Sequence, residues 1–135
     1  MTKILILNGP DLSAKPSAKI TAAAKKAGVE IDYRQHDKLA NVITWMRKAD
    51  ADTDAIIFNP AKDITVSAEL YRRAVEAMSK CDIPLTEVHL DNIYAKDEGV
   101  PHSNRQAANT TGIICGLGDY GYVLAINAIA ENLGK

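Results

Sequence analysis

The sequence predicts a single α/β domain, residues 1–135, built around a parallel sheet. Two observations carry that reading. Five short runs are apolar almost throughout, as strands covered on both faces are, and the segments between them space their apolar residues as helices do.

The first run is Lys3–Leu7. Helical spacing comes next, with Ile20, Ala23, Ala24 and Ala27 recurring at i, i+3, i+4 and i+7. Gly28 stands where a glycine commonly ends a helix. Val29–Arg34 is the second run, and Leu39, Val42, Ile43 and Met46 mark the second helix. After the third run, Ala55–Phe58, a longer helix carries Ile64, Ala68, Tyr71, Val75 and Met78 on one stripe. Pro84–Val88 and Gly112–Cys115 complete the strands. The last helix places Tyr122, Ile126, Ile129 and Leu133 on one side, with Asp119 positioned to cap its start.

Strands alternating with helices require right-handed crossovers, which predict a flavodoxin-like three-layer sandwich with a five-stranded parallel sheet. Ligands in such folds sit beyond the carboxyl ends of the strands. The segments to search are therefore Asn8–Pro16, Gln35–Asp37, Asn59–Thr65, His89–Ser103 and Gly116–Asp119.

Composition narrows the function classes. The chain is 47% apolar and 24% charged, an ordinary globular balance. Sixteen basic and seventeen acidic residues are intermixed, so no basic tract exists for a nucleic acid. No stretch approaches the ~18 apolar residues of a membrane span. Cys81 and Cys115 lack a metal-ligand or CxxC setting and read as thiols of a reducing compartment. With no signal-peptide layout at the N-terminus, the expected location is the cytoplasm. No His, Cys and carboxylate grouping has metal-ligand spacing, and no metal is expected.

The rim segments carry several polar candidates. His89 is the natural general acid or base, because an imidazole exchanges its proton near neutrality. Glu87, two residues upstream on the same side of the strand, could fix the imidazole's tautomer or favour its charged form. The competing reading is a histidine bonded to nearby backbone. Asn59 can donate and accept, although asparagine before proline also marks a turn. Gly116-Leu-Gly118 reads as a tight strand-to-helix turn, since the spacing of a nucleotide-binding glycine loop fails. His36 and His102 are isolated and read as solvated.

Taken in order, these segments resemble the type II 3-dehydroquinate dehydratases. Ile4-Leu-Ile-Leu-Asn-Gly-Pro-Asp-Leu12 is similar to that family's opening, which usually reads LNGPNL. Asn59-Pro-Ala, Glu87-Val-His-Leu-Asp-Asn-Ile93 and Gly112-Ile-Ile-Cys-Gly-Leu-Gly-Asp-Tyr-Gly-Tyr122 resemble its later signatures. Gln35-His-Asp37 with Trp45 fits its second-strand segment.

The resemblance implies elimination of water from 3-dehydroquinate without metal or cofactor. A lid tyrosine, assisted by an arginine, takes a proton and a histidine protonates the leaving hydroxyl. His89 becomes that acid and Glu87 its support. Asn59 would bind substrate hydroxyls, and the N–H groups of Leu90 and Asp91 would face the substrate carboxylate. Lys96 stands where the family has an arginine. The family also implies self-association, built on trimers and reaching a dodecamer; no nucleic acid or membrane partner is implied.

The departures point elsewhere. The interval that holds the family's lid is here Ser13-Ala-Lys-Pro-Ser-Ala-Lys19, which contains neither tyrosine nor arginine. Asp11 replaces an asparagine near the developing enolate; two like charges ~4–5 Å apart oppose each other by roughly 3–4 kcal/mol at an effective dielectric near 20. Thr65, Arg72 and Val100 replace a histidine, an aspartate and an arginine. Tyr94 is a candidate substitute base, against the competing reading of a loop residue that packs its ring, and Lys15, Lys96 and Arg105 could supply positive charge. Asp11 could instead serve as a base for a different substrate or bind a cationic one.

The expectation is a divergent homologue whose small-molecule site sits at the strand C-termini and whose ordinary dehydratase activity is weak or absent. If catalytic, it is a cofactor-free lyase or isomerase on a polar carbonyl or carboxylate compound. The alternatives are a working 3-dehydroquinate dehydratase with a substitute base, and a non-catalytic binding or assembly protein.

Overall fold

A computed structural model describes residues 1–61, 68–92 and 110–133. Along the chain run β1 (Lys3–Asn8), α1 (Ala18–Ala27), β2 (Glu30–Gln35), α2 (Leu39–Arg47), β3 (Ala55–Asn59), α3 (Ala68–Ser79), β4 (Leu85–His89), β5 (Thr110–Cys115) and α4 (Tyr120–Leu133). The strands form one sheet in the order β2-β1-β3-β4-β5, and every described pairing is parallel. This is the flavodoxin-like arrangement the sequence predicts, with the order reversing at β1.

Strand alternation divides the core in two. Leu5, Leu7, Ile56, Phe58 and Leu85 join the buried residues of α2 and α3. Ile4, Ile6, Ala55, Ile57 and Val88 join those of α1 and α4 on the opposite face. Neither set could be assigned to a face from its apolar character alone, because both faces are covered.

The helix stripes are mostly as expected. Ile20, Ala23 and Ala24 of α1 are buried, as are Leu39, Val42, Ile43 and Met46 of α2. Gly28 takes the left-handed conformation, φ 70°, and ends α1. The Gly28 N–H bonds the Lys25 carbonyl while the Val29 N–H reaches back to Ala24, which satisfies two orphan carbonyls.

Three details differ. Among the described side chains of α3 the buried ones are Ala74, Ala77 and Met78, with Val75 only partly buried; Ile64 and the side chains of Ala68 and Tyr71 lie outside the described residues. Leu133, at the end of α4, is exposed. Asp119 meets the start of α4 through its carbonyl, which accepts the Tyr122 N–H, while its carboxylate lies 3.6 Å from Lys19 Nζ.

Cys81 and Cys115 are free thiols. No described helix is long and apolar enough to cross a membrane.

Gly9 sets how closely the first and third rim loops approach. Its N–H donates to the Asn59 carbonyl at 2.8 Å, and a Cβ there would lie 2.5 Å from the Pro60 oxygen. Gly9→Ala should therefore destabilise the fold by about 1–3 kcal/mol, read as a fall in Tm of roughly 3–12 °C in a thermal melt. A melt matching wild type would show that the two loops part without penalty.

Candidate active site

Four of the five strands end on a polar side chain at the carboxyl rim: Asn8, Gln35, Asn59 and His89. Asn8 is the register partner of both Gln35 and Asn59. Phe58 pairs with Glu87, so His89 stands one residue beyond the row of Asn8, Gln35 and Asn59. Alternation sends Asn8 and Asn59 toward the α1/α4 face, with Ile6 and Ile57. Glu87 and His89 follow Leu85 toward α2 and α3. The predicted residues Asn59 and His89 thus reach the rim from opposite faces of the sheet and can meet only beyond its end.

Glu87 is fully buried and His89 nearly so, at 0% and 5% exposure. Glu87 Oε1 lies 2.6 Å from His89 Nε2. A carboxylate can only accept, so Nε2 carries the proton and Nδ1 is left to give or take one. The expected pairing of the two side chains is therefore present. Removing both groups from water is costly, and the short charge-assisted contact offsets that cost.

On the other face a second set of buried polar groups is bonded head to tail. Tyr122, at the first turn of α4, is 3% exposed. Its hydroxyl accepts from Asn59 Nδ2 at 2.9 Å and donates to Asn8 Oδ1 at 2.5 Å. Asn8 Nδ2 in turn donates to the Arg34 carbonyl at 3.1 Å, and the Ala61 N–H donates to Asn59 Oδ1 at 3.0 Å. Burial pushes the Tyr122 hydroxyl well above the usual phenol range, with Tyr33 and Asp119 adding to the rise against the Asn59 bond. The sequence reading placed Tyr122 only on an apolar stripe. The signal it missed is general: a buried tyrosine needs a partner for its hydroxyl, and two asparagines at neighbouring strand ends supply it.

Asp11 occupies the left-handed region at φ 65°, where asparagine and aspartate are the best tolerated residues after glycine. Its N–H points to Asp37 Oδ1 at 3.4 Å, which also accepts from Gln35 Nε2 at 2.9 Å. These bonds, Gln35 first and the Asp11 N–H second, hold the Asp37 carboxyl below its usual range. Gln35 Nε2 also reaches the Gly9 carbonyl at 3.2 Å. The loops after β1 and β2 are therefore tied together beside the candidate site.

The turn after β5 supports the β4 loop. Gly116 and Gly118 have φ of 85° and 58°, and their N–H groups donate to the His89 and Leu90 carbonyls at 3.3 and 3.0 Å. This is the strand-to-helix turn the sequence favoured over a nucleotide loop. It leaves the N–H groups of Leu90 and Asp91 without an acceptor among the described residues. Asp91 is exposed.

His36 corrects an expectation. It is half-buried rather than solvated: Nδ1 accepts the Lys38 N–H at 2.9 Å, Nε2 lies 3.2 Å from Asn41, and the ring packs edge-on against Trp45. Thr65, Tyr94, Lys96, Val100, His102 and Arg105 lie outside the described residues. Among the described residues no group of three or more His, Cys, Asp and Glu side chains could hold a metal ion.

The 2-1-3-4-5 parallel sheet defines a flavodoxin-like domain, and its carboxyl end holds a buried imidazole–carboxylate pair and a bonded asparagine row. The family model for dehydroquinase class II matches residues 11–130, and the chain belongs to that family. It is 34% identical to the 3-dehydroquinate dehydratase of Chelativorans sp. (strain BNC1), over 96% of this chain and 97% of that one. It is 35% identical to the 3-dehydroquinate dehydratase of Idiomarina loihiensis, over 98% and 95%. Among solved structures, the type II dehydroquinase from Propionibacterium acnes superposes with a TM-score of 0.76 at 27% identity, covering 97% and 99% of the two chains. A 3-dehydroquinate dehydratase-like protein from Bifidobacterium longum gives 0.71 at 32%, covering 100% of each.

Tyr122→Phe should cost about 1–3 kcal/mol, because it strands the amides of two buried asparagines. The cost should shrink at alkaline pH. Above about pH 10 an unfolded tyrosine loses its proton while the buried hydroxyl keeps its own, so wild-type stability falls as pH rises. The phenylalanine variant lacks that loss. Urea melts of both chains from pH 7 to 11 would measure the narrowing gap; a constant gap would count against a buried, neutral phenol.

Proposed function

We propose that the chain carries a small-molecule site beyond the carboxyl ends of its strands, in which His89, oriented by Glu87, moves a proton. The 2.6 Å contact between Glu87 and His89 carries this reading. With Nε2 committed to the carboxylate, Nδ1 can accept a proton from a carbon acid or return one to a leaving hydroxyl. Asn59 would hold substrate hydroxyls, and the N–H groups of Leu90 and Asp91 would receive a carboxylate. Such a site fits a cofactor-free lyase or isomerase acting on a polar carbonyl or carboxylate compound.

Two features favour weak dehydration of 3-dehydroquinate itself. Residues 13–19 contain no tyrosine or arginine, and the segment is tied to β2 by the Tyr33 hydroxyl, which donates to the Ser13 carbonyl at 2.9 Å. Asp11 brings a carboxylate to the loop after β1, where an enolate would be opposed rather than stabilised. A second reading has its own support. Identity of 34–35% with 3-dehydroquinate dehydratases over nearly the whole chain favours a working dehydratase that draws its base from elsewhere, with Tyr94 and Lys96 as the candidate pair.

Incubation with 3-dehydroquinate separates the two, since the conjugated enone of 3-dehydroshikimate absorbs strongly in the ultraviolet. The first reading expects turnover at least ~10²-fold below that of type II dehydroquinases assayed alongside, the loss of one placed base. Comparable turnover would establish the second. Under either reading, His89→Ala should remove whatever turnover exists and Glu87→Gln should lower it by roughly ten- to a hundredfold. Turnover that survives His89→Ala would rule out the proton-transfer role.

A further inference from the structure

The row of hydrogen bonds on the α1/α4 face has a direction, and its ends fix that direction. It begins at the Ala61 N–H, which can only donate, and finishes at the Arg34 carbonyl, which can only accept. Between them Asn59 Oδ1 must accept and Asn59 Nδ2 must donate, the Tyr122 hydroxyl must accept from Asn59 and donate to Asn8, and Asn8 Nδ2 must donate. No amide in the row can turn over without leaving two buried groups unmatched.

We propose that Tyr122 is a positioning residue: the Ala61 N–H sets which way the Asn59 amide faces, and the Tyr122 hydroxyl holds it there, preserving the hydrogen bonds the site offers a ligand. The proposal rests on the reading of Asn59 as a ligand contact given above. With one hydrogen of Nδ2 taken by Tyr122 and one lone pair of Oδ1 taken by Ala61, Asn59 keeps a single donor and a single acceptor for a ligand. That pair suits a hydroxyl, which donates and accepts through one atom. The α4 helix is held close enough for this by Gly121, where a Cβ would lie 3.1 Å from Val88 Cγ1 and 3.3 Å from Ile114 Cγ2.

Two measurements test the proposal. In the first, the side-chain amide protons of Asn59 are found in a ¹⁵N-labelled chain by their loss in Asn59→Ala, and their exchange with water is timed. Tyr122→Phe should speed that exchange about tenfold, the equivalent of one buried hydrogen bond, while the backbone spectrum stays dispersed. Unchanged exchange would overturn the proposal. Should the variant fail to fold, the wild-type chain labelled with 3-fluorotyrosine serves instead. Its more acidic hydroxyl donates better and accepts less well, so the Asn59 amide signals should move; stationary signals overturn the idea equally.

In the second, kcat and KM for 3-dehydroquinate are compared across wild type, Asn59→Ala, Tyr122→Phe and the double variant. If Tyr122 acts through Asn59, the double variant is no worse than Asn59→Ala alone. Independent, additive losses would overturn the proposal. A wild type that forms no product removes turnover of 3-dehydroquinate from the reading of the site, and the exchange measurement then decides the positioning role alone.

Discussion

A buried polar group without a partner destabilises a fold, and the carboxyl rim of this sheet is made of such groups. Asn8, Asn59, Glu87 and His89 are all at most 5% exposed. The sheet can end on them only because each meets a partner: a carboxylate against an imidazole on one face, a phenol between two amides on the other. That requirement explains why α4 begins where it does, with Gly121 admitting the helix against β4 and β5 and Tyr122 reaching the asparagine row. The same bonds that close the fold also aim the groups a ligand would meet. Stability and site geometry here are one network rather than two.

The sheet, its parallel order and most helix stripes were legible because they follow from periodicity. Lys3–Leu7 and Ala55–Phe58 were read as strands from apolar character alone. Each stops one residue short of the observed strand, and the omitted residues are Asn8 and Asn59. The fourth run, Pro84–Val88, likewise omits His89. Polar residues do not look like buried strand, so a reading based on apolar runs fails at the positions where the chain departs from local rules for chemistry. The Glu87–His89 pair was legible from its two-residue spacing. Its separation from Asn59 by the plane of the sheet was not, since facing depends on register between strands. Tyr122 was hidden by an i, i+4 pattern that treats its ring as apolar and ignores its hydroxyl.

Asp11 shows how a site can change its charge while the backbone stays put. The left-handed φ of 65° is a conformation that asparagine and aspartate both accept. The peptide N–H remains engaged with Asp37, which is itself held by Gln35. Replacing the family's amide with a carboxylate therefore asks little of the loop, yet it reverses the electrostatics offered to anything bound there. Membership of the dehydroquinase family and a changed charge at this position are compatible for this reason: the backbone constrains torsion angles here, and it leaves the side chain's charge open.

The tie between Tyr33 and Ser13 has a consequence in polymer terms. It ties Ser13, in the passage from β1 to α1, to β2 by one hydrogen bond of the folded state, which leaves the unfolded chain unconstrained. Doubling the length of such a passage would forfeit only about 0.6 kcal/mol of ring-closure entropy, and losing the single hydrogen bond about 1 kcal/mol more. Neither sum threatens a sheet with two packed cores. The brevity of this passage is thus no requirement of folding, and its length is free to change without loss of the sheet.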